Sequence, residues 1–444
     1  MRRLLRHPVR LVPLVFLVAI LIGTGLLMLR PMTVEHQRPP FMTALFTAAS
    51  AISVTGLTVT DTPNYWSASG LVLITVLTQL GGLGILTGAA LVILTVSRRL
   101  GLHNRMLVQA ETAEYGPGDV RRLLLRIAAT VFACELAMTV IVTGRLWLAY
   151  DEPFWQALWH GAFHSIQAFN NSGFSLYPDG LLTFARDSWI CLPMSVGGII
   201  GGLGFPALFE AAREWRRPGR WGVATKLTIW GSAALMVVGV AALLAAEWDN
   251  PQTVGRYDVP GKVLATFAQI ALARTGGFEV VSTDLLREES YLLLIWLMFI
   301  GGGSASTAGG IKVSTFFLLA FVIWAEVRGE PDVTVGHRRI ATASQRHAVA
   351  VALLSLAIVA AGTTAMIVMT DKLPFYAALF EVTSAFSTTG LSVGVLSSLS
   401  DGGQLLLTVL MYVGRIGPLT FGSAIALNTR HRLYRYPEEQ PIVG

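Results

Sequence analysis

Long apolar runs dominate this chain, and polar residues are gathered in short stretches between them. Four runs approach the roughly 20 residues that a helix needs to cross a bilayer: Val9–Leu29, Ile127–Thr143, Leu227–Ala246 and Ala348–Met369. Other apolar segments have only about 10 to 12 residues and are too short to span a membrane. The pattern predicts a membrane protein that combines spanning helices with helices that enter the bilayer part-way.

Composition agrees with this prediction. Hydrophobic residues make up 53% of the 444 residues and charged residues 14%, whereas a soluble domain carries about 25% charged residues. The two cysteines, Cys134 and Cys191, lie in apolar segments, so we interpret them as small buried side chains and not as a disulfide or zinc framework. No small-x-small cleavage site precedes Arg30, so the first run is predicted to be a retained helix.

Charge predicts the orientation in the membrane. Most Lys and Arg residues fall into clusters at Arg2–Arg10, Arg98–Arg126, Arg213–Lys226, Arg328–Arg346 and Arg430–Arg435. Basic loops face the cytoplasm, so we expect a multi-pass protein of a bacterial inner membrane with both termini cytoplasmic. The net charge of +6 then reflects topology, and no nucleic-acid partner is predicted.

One polar motif occurs four times. The copies are FTAASAISVTGL (Phe46–Leu57), FHSIQAFNNSGF (Phe163–Phe174), FAQIALARTGGF (Phe267–Phe278) and FEVTSAFSTTGL (Phe380–Leu391). In each copy a Phe stands ten residues before a Gly, and successive glycines are 117, 104 and 113 residues apart. This period predicts four tandem repeats, with boundaries at residues 1–97, 98–212, 213–327 and 328–444.

Each predicted repeat has one plan: a long helix, a short half-helix, the polar tract and a returning helix. The returning helices are expected near Ser67–Val96, Ser188–Glu210, Tyr291–Trp324 and Gly402–Asn428. Prolines that follow glycines, in GGLGFP and GRIGP, predict bends or breaks in two of them. The predicted fold is an all-α integral membrane protein with eight spans and four half-helices around a central, potassium-channel-like pore.

The polar tracts have a physical explanation as an ion filter. Non-helical backbone at membrane depth is tolerated only where it is buried in protein or lines a water-filled path. Four tracts around one axis can offer carbonyls that replace the water shell of a cation, and the negative ends of the half-helices add to the attraction. The predicted filter residues are Val54, Thr55, Gly56, Asn171, Ser172, Gly173, Thr275, Gly276, Gly277, Thr388, Thr389 and Gly390.

These units, with the segments NNSGF, ARTGGF, FSTTGLS and GRIGPLT, resemble the Trk/Ktr/HKT superfamily of potassium-translocating proteins over essentially the whole chain. Among its branches, the chain looks most like the KtrB membrane subunits. The resemblance implies conduction of K+ down its electrochemical gradient, a homodimer with a pore in each subunit, and a cytosolic nucleotide-binding ring similar to KtrA. It implies no covalently bound cofactor and leaves open whether Na+ is an activator or a co-ion. Some sodium-preferring plant relatives have Ser at the first filter position, so Gly56 favours potassium.

A Gly/Ser segment interrupts the third returning helix. Phosphate-binding loops need Gly-Lys-Ser/Thr, and the order Gly309-Gly310-Ile311-Lys312 between apolar helices excludes that class of site. We interpret the segment as a flexible intramembrane loop below the filter, and the resemblance implies a gate there; a simple helix kink is the alternative. The predicted gate residues are Gly301, Gly302, Gly303, Ser304, Ala305, Ser306, Thr307, Ala308, Gly309, Gly310 and Lys312.

Four further side chains have open interpretations. Arg415 is too deep to reach an interface and is predicted to form a positive constriction or to pin the gate loop, with a salt bridge to Glu135 as the alternative. Glu279 can concentrate cations at the outer mouth or be a solvated loop acid. His160 and His164 share one helix face, and packing or hydrogen bonding is favoured over a metal site.

Two other classes of function are alternatives to a potassium-conducting subunit. A TrkH-like symporter or sodium-coupled secondary transporter is the main alternative, although such transporters more often have two inverted repeats with helices broken at the midplane. A membrane enzyme is not expected, because no catalytic triad, metal cluster or carboxylate pair converges in the returning helices.

Overall fold

The computed structural model describes residues 8–99, 119–274, 276–370 and 373–417. Thr275 of the predicted filter lies outside the described residues, as do residues 418–428 of the fourth returning helix. The same holds for Arg2, Arg3 and Arg6, for residues 100–118 with Arg105, and for the basic cluster Arg430–Arg435. The described parts are almost entirely helical. A two-stranded antiparallel hairpin, Thr334–Val335 with Arg338–Arg339, is the sheet present among them.

Long and short helices alternate along the chain. The long helices are Pro8–Leu27, Asp119–Ala149, Val223–Glu247 and Thr342–Met369. Each is followed by a half-helix of 12 to 17 residues: Phe41–Ser53, Phe154–Asn170, Val259–Ala273 and Phe375–Phe386. Within the described residues, Arg122–Ala149, Val223–Glu247 and Thr342–Met369 are long and apolar enough to cross a membrane, and one bent pair of helices reaches a fourth span. The alternation matches the predicted plan, whereas the repeat boundaries stay a prediction.

The returning helices differ from one another. The first is Ala68–Arg99 and the fourth is Asp401–Ile416. The second consists of Ser188–Leu203 and Phe205–Arg213, bent by 100°. The break falls at Gly204, where φ is +86° and Pro206 follows closely, so the predicted effect of GGLGFP is confirmed.

The third returning helix is interrupted at the Gly/Ser segment, as predicted. It consists of Glu288–Phe299 and Val313–Arg328, and the chain between them is not helical. Shorter elements complete the described fold: the turn of helix Thr62–Tyr65 and the 3₁₀ turns Arg30–Met32, Leu182–Phe184, Pro218–Arg220, Val254–Arg256, Thr283–Leu285 and Leu396–Ser398.

Glycines on three returning helices let the ends of the half-helices approach closely. A Cβ placed on any of these glycines would lie 1.7 to 2.1 Å from a carbonyl oxygen near the C-terminus of a half-helix. Any larger residue would therefore push the half-helix away from its position. The pairs are Gly81 with Ile52, Gly201 with Phe169, and Gly414 with Phe386.

Candidate ion filter and intramembrane loop

Three half-helices end with the same backbone geometry. The first residue of the polar tract is left-handed, with φ of +56° at Val54, +60° at Asn171 and +50° at Thr388. The next residue donates its N–H to the carbonyl five residues back, at 2.8 to 2.9 Å, as in a Schellman C-cap. A β-branched residue with positive φ is an outlier that costs free energy. The left-handed backbone recurs at equivalent positions of three repeats, at the β-branched residues Val54 and Thr388 and at Asn171, and this recurrence marks the tracts as functional candidates.

The four filter glycines form a closed ring of contacts. A Cβ on Gly56 would lie 2.2 Å from the nitrogen of Gly173, and one on Gly173 would lie 2.4 Å from the carbonyl oxygen of Gly277. A Cβ on Gly277 would lie 2.4 Å from the carbonyl oxygen of Thr389, which precedes Gly390. A Cβ on Gly390 would lie 2.0 Å from the carbonyl oxygen of Thr55, which precedes Gly56. The four tracts therefore follow one another around one axis in chain order, and the fourth meets the first.

The third tract departs from the pattern of the others. The N–H groups of Gly276 and Gly277 both donate to the carbonyl of Leu272, at 2.6 and 3.0 Å. The Arg274 side chain is buried; it donates to the carbonyl of Gly301 at 3.2 Å and approaches the Ser232 side chain at 3.5 Å. Its guanidinium thus contacts the Gly/Ser segment that interrupts the third returning helix.

Several filter hydroxyls are buried without a partner. The side-chain oxygens of Ser172, Thr388 and Thr389 accept or donate no hydrogen bond among the described residues. The hydroxyl of Thr55, in contrast, pairs with that of Ser53 at 2.7 Å. An unpaired buried hydroxyl costs about 1–3 kcal/mol.

A cavity of about 670 Å³ opens beside the glycine ring, on the side that the sequence predicts to be the outer mouth. All four filter glycines line it, together with the carboxylates of Asp61, Asp179, Glu279 and Asp284. Glu279 is half-buried and accepts a hydrogen bond from the backbone N–H of Thr283. Burial, with the nearby charges of Asp284 and Asp179, raises the pKa of Glu279, although the Thr283 bonds oppose the shift. Glu279 thus belongs to the mouth and caps a turn there.

The Gly/Ser segment lies directly against two of the filter tracts. The side-chain amide of Asn171 donates to the hydroxyl of Thr307 at 2.7 Å, and a Cβ on Gly309 would lie 2.3 Å from the hydroxyl oxygen of Thr388. The segment also follows the second returning helix, because Gly303 N–H donates to the carbonyl of Gly202 at 2.7 Å. Composition predicted a loose loop, but nearly all of it is buried and only Ser304 is exposed.

Arg415 is 4% exposed and joins this loop to the first repeat. Its guanidinium donates to the carbonyl of Thr307 and, at 3.0 Å, to that of Gly81. The alternative salt bridge to Glu135 is wrong. The Glu135 carboxylate accepts from the amides of Gln79 at 3.3 Å and Asn170 at 3.2 Å. A second cation, Lys312, donates to the carbonyl of Ala308 at 2.6 Å.

The two histidines are held by hydrogen bonds. His160 Nδ1 lies 3.0 Å from both Glu152 Oε2 and the Tyr177 hydroxyl oxygen. His164 Nδ1 lies 2.7 Å from the carbonyl of His160, and its Nε2 accepts from the N–H of Leu176 at 3.2 Å. No cluster of three His, Cys, Asp or Glu residues suited to a metal ion occurs in the part of the chain that the structure describes.

Sequence reasoning missed the polar side chains that support the filter from behind. These include the Gln79–Glu135–Asn170 network and two buried half-helix residues, Gln269 and Glu381. A signal was present, because Glu381 stands in the same motif position as His164, nine residues before its glycine.

The chain is similar in sequence to a family of cation transport proteins. The family model described as TrkH, cation transport protein, matches residues 5–428. The chain is 36% identical to the Ktr system potassium uptake protein B of Bacillus subtilis (98% of this chain, 97% of that protein). It is also 36% identical to the protein of that name from Vibrio alginolyticus (90% and 88%), and 30% identical to the potassium/sodium uptake protein NtpJ of Enterococcus hirae (98% and 97%).

A crystal structure shows the same fold. The potassium transporter TrkH from Vibrio parahaemolyticus superposes with a TM-score of 0.70 at 21% identity, over 93% of this chain and 84% of that one. The predicted all-α membrane fold is thereby confirmed. The prediction that the chain is not an enzyme agrees with the family description. The chain belongs to the TrkH family of cation transport proteins within the Trk/Ktr superfamily, and it resembles the Ktr potassium uptake protein B branch.

Proposed function

We propose that this chain is the potassium-translocating membrane subunit of a Ktr-type uptake system and conducts K+ through the ring of four polar tracts. The ring of contacts between Gly56, Gly173, Gly277 and Gly390 is the observation that carries the proposal. It brings four half-helix C-termini and their tract carbonyls to one axis, where their partial negative charge favours a dehydrated cation. The relatives named as potassium uptake proteins support K+ as that cation.

The Gly/Ser loop is the proposed gate, and Arg415 is its anchor. The loop bonds to Asn171 just before the second filter glycine, so it lies where a hydrated ion leaving the filter must pass. Thr307 is held at three groups: its hydroxyl by Asn171, its carbonyl by Arg415 and its N–H by the carbonyl of Gly201 at 3.3 Å. Breaking these bonds would release the loop near Thr307, while its ends stay attached through bonds such as Gly303 N–H to the Gly202 carbonyl and Ile311 N–H to the Phe299 carbonyl.

The wider assignment follows from the relatives. Relatives named as proteins of a Ktr system support a multi-component system with a partner subunit. We propose that this partner is a cytosolic nucleotide-binding ring. We also propose that the chain forms a homodimer in the bacterial inner membrane with both termini cytoplasmic, as the sequence predicts. The name of NtpJ includes sodium, so a sodium-coupled transporter stays the second candidate. Uptake of Rb+ into proteoliposomes with and without internal and external Na+ separates strict coupling from simple conduction.

Replacing Gly390 by Ser tests the filter. A Cβ there would lie 2.0 Å from the backbone carbonyl of Thr55 and would require φ of +95°, so the ring must open and its carbonyls must turn. We expect the preference for Rb+ over Na+ to fall about tenfold, a change of ~1.4 kcal/mol, with some loss of thermal stability. Ion uptake by purified, reconstituted protein measures the preference.

Gly394→Ser is the matched control. Gly394 also has positive φ, +83°, but a Cβ there meets nothing within 4 Å. It should share the cost of backbone strain and keep the parent selectivity. Equal selectivity in parent, Gly390→Ser and Gly394→Ser would reject the filter.

A further inference from the structure

We infer that three buried half-helix side chains, His164, Gln269 and Glu381, position the outer limb of the filter and so determine its ion preference. The inference rests on the proposed function and goes beyond it, because none of these residues belongs to the polar tracts. Each lies in a different repeat, and each is at most 2% exposed.

The three side chains make the same contact. Each accepts a hydrogen bond from the backbone N–H that follows its filter glycine by three residues. His164 Nε2 accepts from Leu176 at 3.2 Å, Gln269 Oε1 from Val280 at 2.8 Å, and Glu381 Oε1 from Val393 at 2.9 Å. Gln269 also accepts from Val281 at 3.0 Å, and Glu381 from the hydroxyl of Ser392 at 2.6 Å.

The shared requirement is an acceptor and not a charge. A neutral imidazole, an amide and a carboxyl group have in common only an atom that can accept from an N–H. In the His164 ring, Nδ1 faces the His160 carbonyl and so carries the hydrogen, which leaves Nε2 as the acceptor. The second oxygen of Glu381 has no partner among the described residues, so a single acceptor oxygen accounts for every bond that this side chain makes there.

The contact has a consequence for the filter. The limb beyond each glycine is not helical, so its N–H groups have no ladder to join. A buried N–H without a partner is costly, and the limb would move to satisfy it. The four glycines touch each other's backbone, so a shift of one limb changes the spacing of the carbonyl ring. Thr47 stands nine residues before Gly56, as His164 and Glu381 stand before their glycines, whereas Gln269 stands eight residues before Gly277. No bond of this kind is seen at Thr47 among the described residues.

Two substitutions at Glu381 distinguish the effect of its hydrogen-bond acceptor from the effect of its charge. Glu381→Gln keeps an acceptor oxygen and removes the charge, whereas Glu381→Leu keeps the approximate volume and removes the acceptor. Thr383→Val is the matched control, because its buried hydroxyl in the same half-helix bonds to nothing among the described residues. We expect Glu381→Leu to lose about tenfold in the ratio of Rb+ to Na+ uptake, while Glu381→Gln and Thr383→Val stay within about twofold of the parent.

Two measurements distinguish a side chain that positions the filter from one that only stabilises the fold. Purified variants are compared for thermal unfolding and for ion uptake into proteoliposomes. A folded Glu381→Leu with parental selectivity would overturn the inference, as would a Glu381→Gln that loses as much selectivity as Leu. The pair Gln269→Glu and Gln269→Leu gives an independent test if Glu381→Leu does not fold. A parent without any preference for Rb+ over Na+ would instead refute the proposed function.

Discussion

At the residue scale, we expect Glu279 to contribute to the response of ion uptake to external pH. Its carboxylate lines the cavity beside the glycine ring, and burial with nearby acids raises its pKa. Glu279 carries its negative charge at any pH above its raised pKa. When the external pH falls, Glu279 therefore loses this charge at a higher pH than an exposed Glu would. We expect Glu279→Gln to raise the Rb+ concentration for half-maximal uptake about two- to fivefold, because a charged mouth concentrates cations. The maximal rate should not change.

The same variant should lose part of the pH dependence. Uptake by the parent should weaken between external pH 7 and 5, and Glu279→Gln should show a smaller decline. Glu288→Gln is the control, since Glu288 is exposed and lies outside the residues that line the cavity. Identical apparent affinity and pH profiles in parent and Glu279→Gln would leave Glu279 only as the cap of the Thr283 turn.

At the element scale, one buried guanidinium joins the intramembrane loop to the first returning helix. Arg415 joins the Thr307 carbonyl of the loop to the Gly81 carbonyl of the first returning helix. Arg415→Gln removes the charge from the ion path and shortens the reach, so the loop loses one attachment. We expect Rb+ uptake to rise about three- to tenfold, on the order of 1 kcal/mol in the barrier, with unchanged selectivity.

Arg145→Gln is the control, because it also replaces an arginine but at a site outside the loop, where Arg145 pairs with Asp187. It should leave the rate of uptake unchanged. An Arg415→Gln variant that folds and conducts at the parental rate would remove Arg415 from the gate. A deletion of 304–308 that stays closed would remove the loop as well.

At the scale of the whole molecule, flux should depend on a partner. The loop is buried and bonded to its neighbours, so opening needs work from outside the membrane region. We expect ATP or ADP to change Rb+ uptake several-fold only when the proposed cytosolic nucleotide-binding ring is reconstituted with this chain. A ligand shifts the equilibrium between two states only if it binds them with different affinity. Proteoliposomes with the chain alone, and with heat-inactivated partner, are the controls. Full nucleotide regulation by the chain alone would contradict the proposal.

The sequence by itself determined the class of protein, the four half-helices and the position of each polar tract. Those features depend on local information: run length, a Phe ten residues before a Gly, and prolines after glycines. They also include the interruption at Gly301–Lys312, because a helix cannot continue easily through so many glycines.

Only the tertiary structure decided what the tracts and buried side chains touch. The partner of Arg415 illustrates the reason. The sequence left three interpretations open for Arg415: a positive constriction, an attachment to the loop, and a salt bridge to Glu135. In the structure the guanidinium bonds to the carbonyls of Thr307 and Gly81. A carbonyl is present at every residue and leaves no mark in a sequence. The closed glycine ring and the acceptors at His164, Gln269 and Glu381 were hidden likewise, because each depends on backbone atoms that packing brings together.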